Sequence, residues 1–276
     1  MNESKIEQIK QYWEDKALEL GQDRRATTPD YWLREIEISH LSRIIGEYDR
    51  DLHILDIGCG NGYSTLQLLK QHPRHRYCGG DYSESMLLAA KKNAQEIDSS
   101  LQEHIQFKQL DVLQLSSQSS LFDIIISDRC LINLPESNAQ WKAIDQIYRL
   151  LKPGGEYIAI ENFMGGQNGM NTQRENIGLP PIPVRWHNCY FVEDEFIQYC
   201  SRDFKILEFL PISSTYYLLT RVVYSKQCQN DNREPDYDND IYQIATQLPE
   251  LGDFGPIKLA RMKKISSIDE MEQTDE

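Results

Sequence analysis

Apolar residues follow two alternating patterns between about residues 52 and 161. Short apolar runs (HILDIG, RYCGGD, IQFKQLD, FDIIIS and GEYIAI) are separated by segments such as STLQLLKQ, ESMLLAAKKNAQ and AQWKAIDQIYRLL, where apolar side chains recur every three or four residues. Strands that alternate with helices form parallel sheets through crossover connections. FDIIIS and GEYIAI are almost entirely apolar, as in strands that helices cover on both faces. The pattern therefore predicts a doubly wound α/β core.

Two amphipathic helices are predicted before this core, at about 6–20 and 29–48. Thr28 precedes Pro29, which predicts an N-cap and a first helical residue at these positions. The segment 162–190 is rich in Gly, Asn and Pro and is too long for an ordinary connection between a strand and a helix. Long irregular segments of this kind are often lids, and a lid is the prediction here.

The remaining third of the chain is predicted to complete the sheet. We expect a helix at 192–201, a strand at FKILEFL, and a helix at 213–225, although the aromatic and β-branched content of that segment also fits a strand. Residues 230–253 carry seven carboxylates and one basic residue, Arg233, which predicts a solvated acidic loop before a helix at IYQIATQL. FGPIKLARM predicts a last strand at the sheet edge. The chain reads as one domain over 1–276, with a helical cap (1–48), a core (52–161), a lid (162–190), the rest of the sheet (191–264) and a polar tail (265–276).

The composition of the chain indicates which ligands, partners and cellular location to expect. The chain has 29 Lys and Arg against 43 Asp and Glu, a formal net charge of −14. Such a charge repels phosphate backbones, so nucleic acid is disfavoured as a substrate. No apolar run approaches a membrane span, and the charged amino terminus lacks the core of a signal peptide, so a cytoplasmic protein is expected. Six cysteines without CxxC spacing predict free thiols and no metal site; they are Cys59, Cys78, Cys130, Cys189, Cys200 and Cys228.

A glycine-rich turn follows the first predicted strand. Asp56, Gly58, Gly60 and Gly62 form DxGxGxG, and ligands of doubly wound folds bind at this edge of the sheet. A dinucleotide fingerprint, GxGxxG, requires its third glycine where Tyr63 stands, which weighs against NAD. Asp81, about 20 residues further on, suits the ribose hydroxyls of either kind of cofactor. A purely structural glycine turn remains the alternative.

Five segments in order resemble the motifs of class I (Rossmann-like) S-adenosylmethionine-dependent methyltransferases: ILDIGCGNG, GGDYSESML, Asp111 after IQFKQL, FDIIISDRC and LKPGGEYIAIE. The resemblance spans 54–161. It implies a mostly parallel seven-stranded sheet with helices on both faces, and S-adenosylmethionine as cofactor with S-adenosylhomocysteine as product. The cofactor-binding residues that it implies are Asp56, Gly58, Cys59, Gly60, Asp81, Tyr82, Met86, Asp111, Val112 and Asp128. Ordinary core, cap or turn roles are the alternatives for Met86 and Asp111.

The resemblance also implies methyl transfer. An aromatic platform among polar donors, formed by Arg185, Trp186, His187, Asn188 and Tyr190, favours a small polar or sugar-like acceptor, through O- or N-methylation. A hydroxyl acceptor requires a base, for which Asp128, Glu161 and His187 are the candidates. The candidate acceptor-binding residues are Arg129, Arg185, Trp186, Asn188 and Tyr190. Aromatic residues of the cap (Tyr12, Trp13, Tyr31 and Trp32) are expected to close the pocket, with Arg34 holding the carboxylate of the cofactor. A nucleotide-dependent oxidoreductase and a non-catalytic cofactor-binding protein are the alternative functions.

Overall fold

A computed structural model describes residues 3–115 and 121–265. A seven-stranded sheet with the order β3-β2-β1-β4-β5-β7-β6 organises this part of the chain. The strands are β1 (His53–Ile57), β2 (Arg76–Asp81), β3 (Ile105–Gln109), β4 (Phe122–Asp128), β5 (Leu151–Asn162), β6 (Phe204–Pro211) and β7 (Ile257–Lys264). β1 to β5 are parallel, and β7 runs antiparallel to both β5 and β6. The predicted doubly wound, mostly parallel sheet is confirmed.

Helices cover both faces of the sheet. They are α1 (Glu3–Leu20), α2 (Tyr31–Ile45), α3 (Tyr63–Gln71), α4 (Glu84–Gln95), α5 (Ser99–Gln102), α6 (Ser137–Leu150), α7 (Met164–Asn176), α8 (Glu193–Cys200), α9 (Ser214–Tyr217), α10 (Tyr224–Asn230) and α11 (Asp240–Thr246). Strand alternation divides the core between the faces: Ile54 packs with α2 and α3, whereas Leu55 and Ile57 pack with α6 and α8. No helix in the described ranges is long and apolar enough to cross a membrane.

The start of α2 differs from the prediction. The N-cap is Asp30, whose carboxylate accepts from the Leu33 amide (3.3 Å), and the helix ends at Ile45. The Thr28 hydroxyl instead accepts from the Asp30 amide (3.3 Å), so Thr28 and Pro29 belong to the turn before the helix. Thr and Asp are both good caps, and the local sequence does not distinguish them.

The first half of the predicted irregular lid is a helix, α7, and the prediction for 164–176 is wrong. Its glycines mark close approach to the segment before β7 and are not helix breakers. A Cβ at Gly166 would lie 2.0 Å from the Gly255 carbonyl oxygen, and one at Gly169 would lie 2.9 Å from Phe254 Cβ. Residues 177–190, all of them described, contain neither helix nor strand.

The last strand, β7, was predicted at the sheet edge and lies between β5 and β6 instead. An interior position leaves its charged residues in need of partners. The structure neutralises them: Lys258 pairs with Asp253, and Arg261 pairs with Glu156 (2.7 Å) and Glu47 (2.6 Å). β6 is the edge strand.

The segment 213–225 is helical, as favoured from its spacing, although residues Leu218–Val223 form a π-helical turn between α9 and α10. The predicted helix at IYQIATQL is confirmed as α11. Apart from Ile265, the predicted polar tail lies outside the described residues.

Candidate functional site

A cavity opens at the carboxyl edge of the parallel strands, below α1. Each of the ten residues predicted to bind the cofactor lines it. Of the remaining candidates, Arg129, Arg185, His187, Asn188 and Tyr190 line it as well. Strand ends, the glycine turn and the 177–190 segment, which are far apart in sequence, therefore meet around one space.

The glycine turn lies against its neighbours without room for side chains. Gly58 has φ +73° and Gly60 has φ +54°, a region that L side chains rarely adopt. A Cβ at Gly58 would lie 2.4 Å from Cys130 Sγ, and a Cβ at Gly60 would lie 2.5 Å from Thr27 Cγ2. The backbone at both positions borders the cavity, so a ligand can lie directly on it.

Asp81 fixes the shape of this turn. It is the last residue of β2, and its two oxygens accept from the Gly60 amide (2.9 Å) and the Ser83 amide (2.9 Å). Burial raises the pKa of Asp81 to about 6. A carboxylate oxygen offers two acceptor positions, so each oxygen keeps one beyond its amide partner. Asp56 lies deeper, where it accepts from the Thr65 hydroxyl, and burial raises its pKa to about 7.

Helix α1 covers the cavity opposite the glycine turn. Lys10 Nζ forms an ion pair with Asp111 (3.0 Å) and lies 5.5 Å from the centre of the Tyr82 ring. The Tyr82 hydroxyl donates to the Ile9 carbonyl (3.5 Å). Of the predicted cap residues, Trp13 and Arg34 line the cavity, whereas Tyr12, Tyr31 and Trp32 do not. Arg34 is buried and donates to the Arg24 carbonyl (3.0 Å) and the Thr27 hydroxyl.

The charged residues after β4 form an internal ion pair. Arg129, at φ +48°, places its Nε 2.8 Å from Oε1 of the fully buried Glu37, and its Nη2 donates to Glu37 Oε2 (3.1 Å). Asp128 Oδ1 is 3.9 Å from Arg129 Nε. The Arg129 guanidinium thus binds Glu37 on α2, although Arg129 also borders the cavity.

Unpaired acceptor atoms concentrate at the cavity. Among the described residues, six buried side-chain N and O atoms lack a hydrogen-bond partner, and two of them belong to the Glu37–Arg129 ion pair. The other four are Asp128 Oδ1, Asn133 Oδ1, Asn162 Oδ1 and His187 Nδ1. All four residues line the cavity. Because a buried polar atom without a partner costs free energy, this grouping indicates a place for ligand hydrogen-bond donors.

Two candidates lie elsewhere. Glu161 is fully buried, does not line the cavity, and accepts from the Ser127 hydroxyl (2.8 Å) and the Leu131 amide (3.0 Å). Burial raises its pKa to about 7. Trp186 is 53% exposed, does not line the cavity, and contacts Tyr12 edge-on at 5.9 Å. These positions make Glu161 a support for the loop after β4 and Trp186 part of the outer surface.

His187 is buried at the cavity wall and stacks on Tyr12, with 4.5 Å between ring centres. Burial and the nearby Arg185 charge lower its pKa to about 4. The imidazole is therefore neutral at physiological pH, and its unpaired Nδ1 suits a hydrogen bond better than a proton transfer at neutral pH.

The sequence did not single out four further lining residues: Asp30, Tyr217, Arg221 and Tyr237. Arg221 is on the π-helical turn, where its Nη2 forms an ion pair with Asp30. Its guanidinium carbon lies 5.3 Å from the Tyr217 ring centre and 5.1 Å from that of Tyr237. The only local signal was one arginine within an otherwise apolar and aromatic segment. The described residues contain no group of three or more His, Cys, Asp or Glu that could hold a metal ion.

Residues 54–155 match a family model described as a methyltransferase domain. A demethylmenaquinone methyltransferase from Lactococcus lactis subsp. lactis is 33% identical over 111 residues, which cover 40% of this chain and 42% of that protein. The chain spans about half the length of the curated relatives that it matches.

Solved structures share the fold at low sequence identity. Magnesium protoporphyrin IX methyltransferase from Synechocystis PCC 6803, solved with bound S-adenosylhomocysteine, has a TM-score of 0.58 at 15% identity, covering 86% of this chain and 85% of that chain. The [4+2]-cyclase SpnF has a TM-score of 0.56 at 20% identity, covering 83% and 82%. At these identities the likeness establishes the fold alone.

Proposed function

Because residues 54–155 match a family model described as a methyltransferase domain, we propose that this chain is a class I S-adenosylmethionine-dependent methyltransferase that methylates a small polar acceptor on oxygen or nitrogen. The proposal has two parts. The first is that the cavity below α1 holds the cofactor, and the second is that the acceptor enters between the β4 loop and the 177–190 segment.

The residues at the cavity fit the cofactor. The side-chain-free turn at Gly58 and Gly60 accommodates its amino-acid portion, and Asp81 keeps acceptor positions for the ribose hydroxyls. Tyr82 and Met86 would flank the adenine, with Asp111 and Val112 at its edge. When bound, S-adenosylmethionine supplies a sulfonium methyl group that is already activated for in-line displacement.

The observation that carries the proposal is the set of four unpaired acceptor atoms at the cavity wall, on Asp128, Asn133, Asn162 and His187. Hydroxyl and amino groups of a ligand are the donors that such atoms require. A cofactor with an ammonium group and a hydroxyl-rich or amine-bearing acceptor together supply them. An apolar acceptor would leave several of these atoms desolvated and unsatisfied.

Asp128 is the residue proposed to take the proton from a hydroxyl acceptor. Its Oδ1 has no hydrogen-bond partner and lies 3.9 Å from Arg129 Nε, and burial raises the pKa of its carboxyl, which brings the group closer to the pKa of an efficient base at neutral pH. His187, with a pKa of about 4, is proposed to orient the acceptor through Nδ1. The buried wall excludes water, and an amine acceptor would need only to arrive neutral.

A labelled-methyl assay tests the proposal. The protein is incubated with methyl-labelled S-adenosylmethionine and fractionated pools of polar metabolites, and label in an acceptor is measured. We expect transfer by the natural protein and none by Gly60→Arg, whose side chain would meet Thr27 at a left-handed backbone position. Glu195→Gln, on the exposed face of α8, is the matched control and should retain transfer.

Three results would contradict the proposal. Intact cofactor binding in a folded Gly60→Arg would place the cofactor elsewhere. A thermal shift with NAD(H) or NADP(H), and none with S-adenosylhomocysteine, would favour an oxidoreductase. Binding of S-adenosylhomocysteine without methyl transfer to any acceptor pool would favour a protein that binds the cofactor without turnover.

A further inference from the structure

A second cavity adjoins the first. It lies between α7, the 177–190 segment and the helices that follow the π-helical turn. Five residues line both cavities: Arg185, Tyr190, Tyr217, Arg221 and Tyr237. Because one wall is common to both, a ligand in the first cavity has a neighbouring site within the length of a small molecule.

The lining of the second cavity is cationic in an acidic protein. It includes four arginines (Arg174, Arg185, Arg221 and Arg233) and one carboxylate, Glu234. The whole chain has a formal net charge of −14. A positively charged cavity in a negatively charged protein attracts anionic ligands.

Two of these four arginines have a carboxylate as counter-ion, and the other two do not. Arg221 is paired with Asp30, and Arg233 is paired with Asp231 (3.5 Å). Within the described ranges, neither Arg174 nor Arg185 has a carboxylate within 4 Å of its guanidinium. Arg185 is exposed at the rim, whereas Arg174 is only 7% exposed.

The guanidinium of Arg174 is held in place by backbone carbonyls, and no carboxylate compensates its charge. Its Nε donates to the Pro180 carbonyl (2.8 Å) and its Nη1 donates to the Arg221 carbonyl. Burial and the adjacent Arg221 charge both lower the pKa of Arg174. Carbonyl partners fix the orientation of the guanidinium but do not neutralise it. A buried charge without a counter-ion is costly, and an anionic ligand would supply the missing partner.

Neutral hydrogen-bonding groups complete this lining. Tyr190, Tyr217 and Tyr237 carry hydroxyls at the common wall. Gln167 is held by donation to the Ile182 carbonyl (2.6 Å). Arginine forks with hydroxyl donors are the usual protein partners of carboxylate and phosphate groups.

We propose that the second cavity binds an anionic group of the methyl acceptor, a carboxylate or a phosphate, while the atom to be methylated lies in the first cavity. This inference rests on the proposed methyltransferase function. It narrows the acceptor to a polar molecule that carries an oxyanion a few bonds from its methylated hydroxyl or amine. Arg174 lines only the second cavity, which separates this anion site from the carboxylate of the cofactor, for which Arg34 in the first cavity is the expected partner.

Bare anions test the site without knowledge of the acceptor. The thermal midpoint of the natural protein, saturated with S-adenosylhomocysteine, is measured against inorganic phosphate, acetate and acetamide at constant ionic strength. Acetamide matches acetate in shape and lacks its charge. We expect phosphate or acetate to raise the midpoint and acetamide to leave it unchanged; the stronger of the two anions identifies the class of the group.

Arginine variants assign the effect to this cavity. Arg174→Gln should weaken the apparent affinity for the effective anion at least tenfold, and Arg185→Gln should weaken it less, because Arg185 is at the exposed rim. Arg202→Gln, outside both cavities, is the control and should behave as the natural protein. The affinity for S-adenosylhomocysteine should stay the same in all three.

The inference would be overturned if neither phosphate nor acetate raised the midpoint more than acetamide does, and also by anion binding that persists unweakened in folded Arg174→Gln. Should Arg174→Gln fail to fold, weaker anion binding in Arg185→Gln and the comparison of the effective anion with acetamide decide. The anion series is also run without S-adenosylhomocysteine. Anion binding without any binding of S-adenosylhomocysteine would contradict the proposed function alone, whereas the reverse pattern would contradict the anion site alone.

Discussion

Asp30 and Arg221, 191 positions apart in sequence, form a buried ion pair at the wall that lies between the two cavities. The Asp30 carboxylate also caps α2 through the Leu33 amide and accepts from the Tyr216 hydroxyl. One side chain thus ties the start of α2 to the π-helical turn. The position of Arg221, which borders both cavities, depends on this contact.

Removal of Asp30 should destabilise the protein strongly. Asp30→Ala leaves the Arg221 guanidinium buried without its counter-ion, and we expect a loss of about 3 to 5 kcal/mol in the free energy of unfolding. Denaturant titration measures it. Asp98→Ala is the matched control, because Asp98 also caps a helix, α5, but does so at the surface, and its loss should be far smaller. Equal losses in the two variants would mean that the ion pair contributes nothing beyond the cap.

The three buried carboxyls Asp56, Glu161 and Asp81 should each lower the stability of the unliganded protein as the pH rises from about 4 to 7. Burial raises the pKa of Asp56 to about 7, of Glu161 to about 7 and of Asp81 to about 6. In the unfolded chain these groups titrate near pH 4, so between those values the folded state binds more protons than the unfolded state. Each group therefore lowers the free energy of unfolding by up to about 1.4 kcal/mol for each pH unit up to its folded pKa.

Asp56→Asn tests this pH dependence. The variant removes one of the buried titrating groups and should reduce the slope of unfolding free energy against pH, measured by urea titration at several pH values. Glu195→Gln, at an exposed carboxylate, should keep the slope of the natural protein. An unchanged slope in Asp56→Asn would show that Asp56 remains ionised when buried.

Asp128→Asn should separate catalysis from binding. The substitution keeps the shape of the side chain and removes the base, so kcat for a hydroxyl acceptor should fall about 10²- to 10⁴-fold. Affinity for S-adenosylhomocysteine, measured by calorimetry, should change less than about threefold. If Asp128 instead holds the cofactor, that affinity will fall together with kcat, and the assignment of a base will be wrong.

His187→Gln should weaken binding and use of the acceptor without changing the dependence of the rate on pH. The amide retains an acceptor atom but loses the ring that stacks on Tyr12, so we expect kcat/KM for the acceptor to fall about tenfold. Because the pKa of His187 is about 4, the rate between pH 5.5 and 8 should show no inflection that the variant abolishes. An inflection near pH 6.5 that disappears in His187→Gln would make His187 the base.

The part of the site that we propose holds the cofactor was predictable because its sequence signals are contiguous. Asp56, Gly58, Gly60 and Asp81 stand at strand ends whose apolar runs are plain in the sequence, and parallel strands bring their carboxyl ends to one edge. The spacing of the motifs therefore predicted which residues lie close together, and each of these residues lines the cavity.

The acceptor half depends on contacts between distant segments. Gly166 and Gly169 suggested an irregular lid, yet they permit a helix to touch residues 254–255. Lys258 and Arg261 lie on a strand that was expected at the sheet edge, and ion pairs with Asp253 and Glu156 outside that strand let it lie within the sheet. Asp30 and Arg221 carry no local motif at all. In each case a long-range contact overrides what the local sequence favours.

The most direct test of the central claim is a calorimetric titration of the natural protein, in parallel, with S-adenosylhomocysteine and with NADH. The account predicts saturable one-to-one binding of S-adenosylhomocysteine, at least tenfold weaker in Asp81→Asn because that carboxylate loses its charge, and no binding of NADH. Binding of NADH without binding of S-adenosylhomocysteine would contradict it.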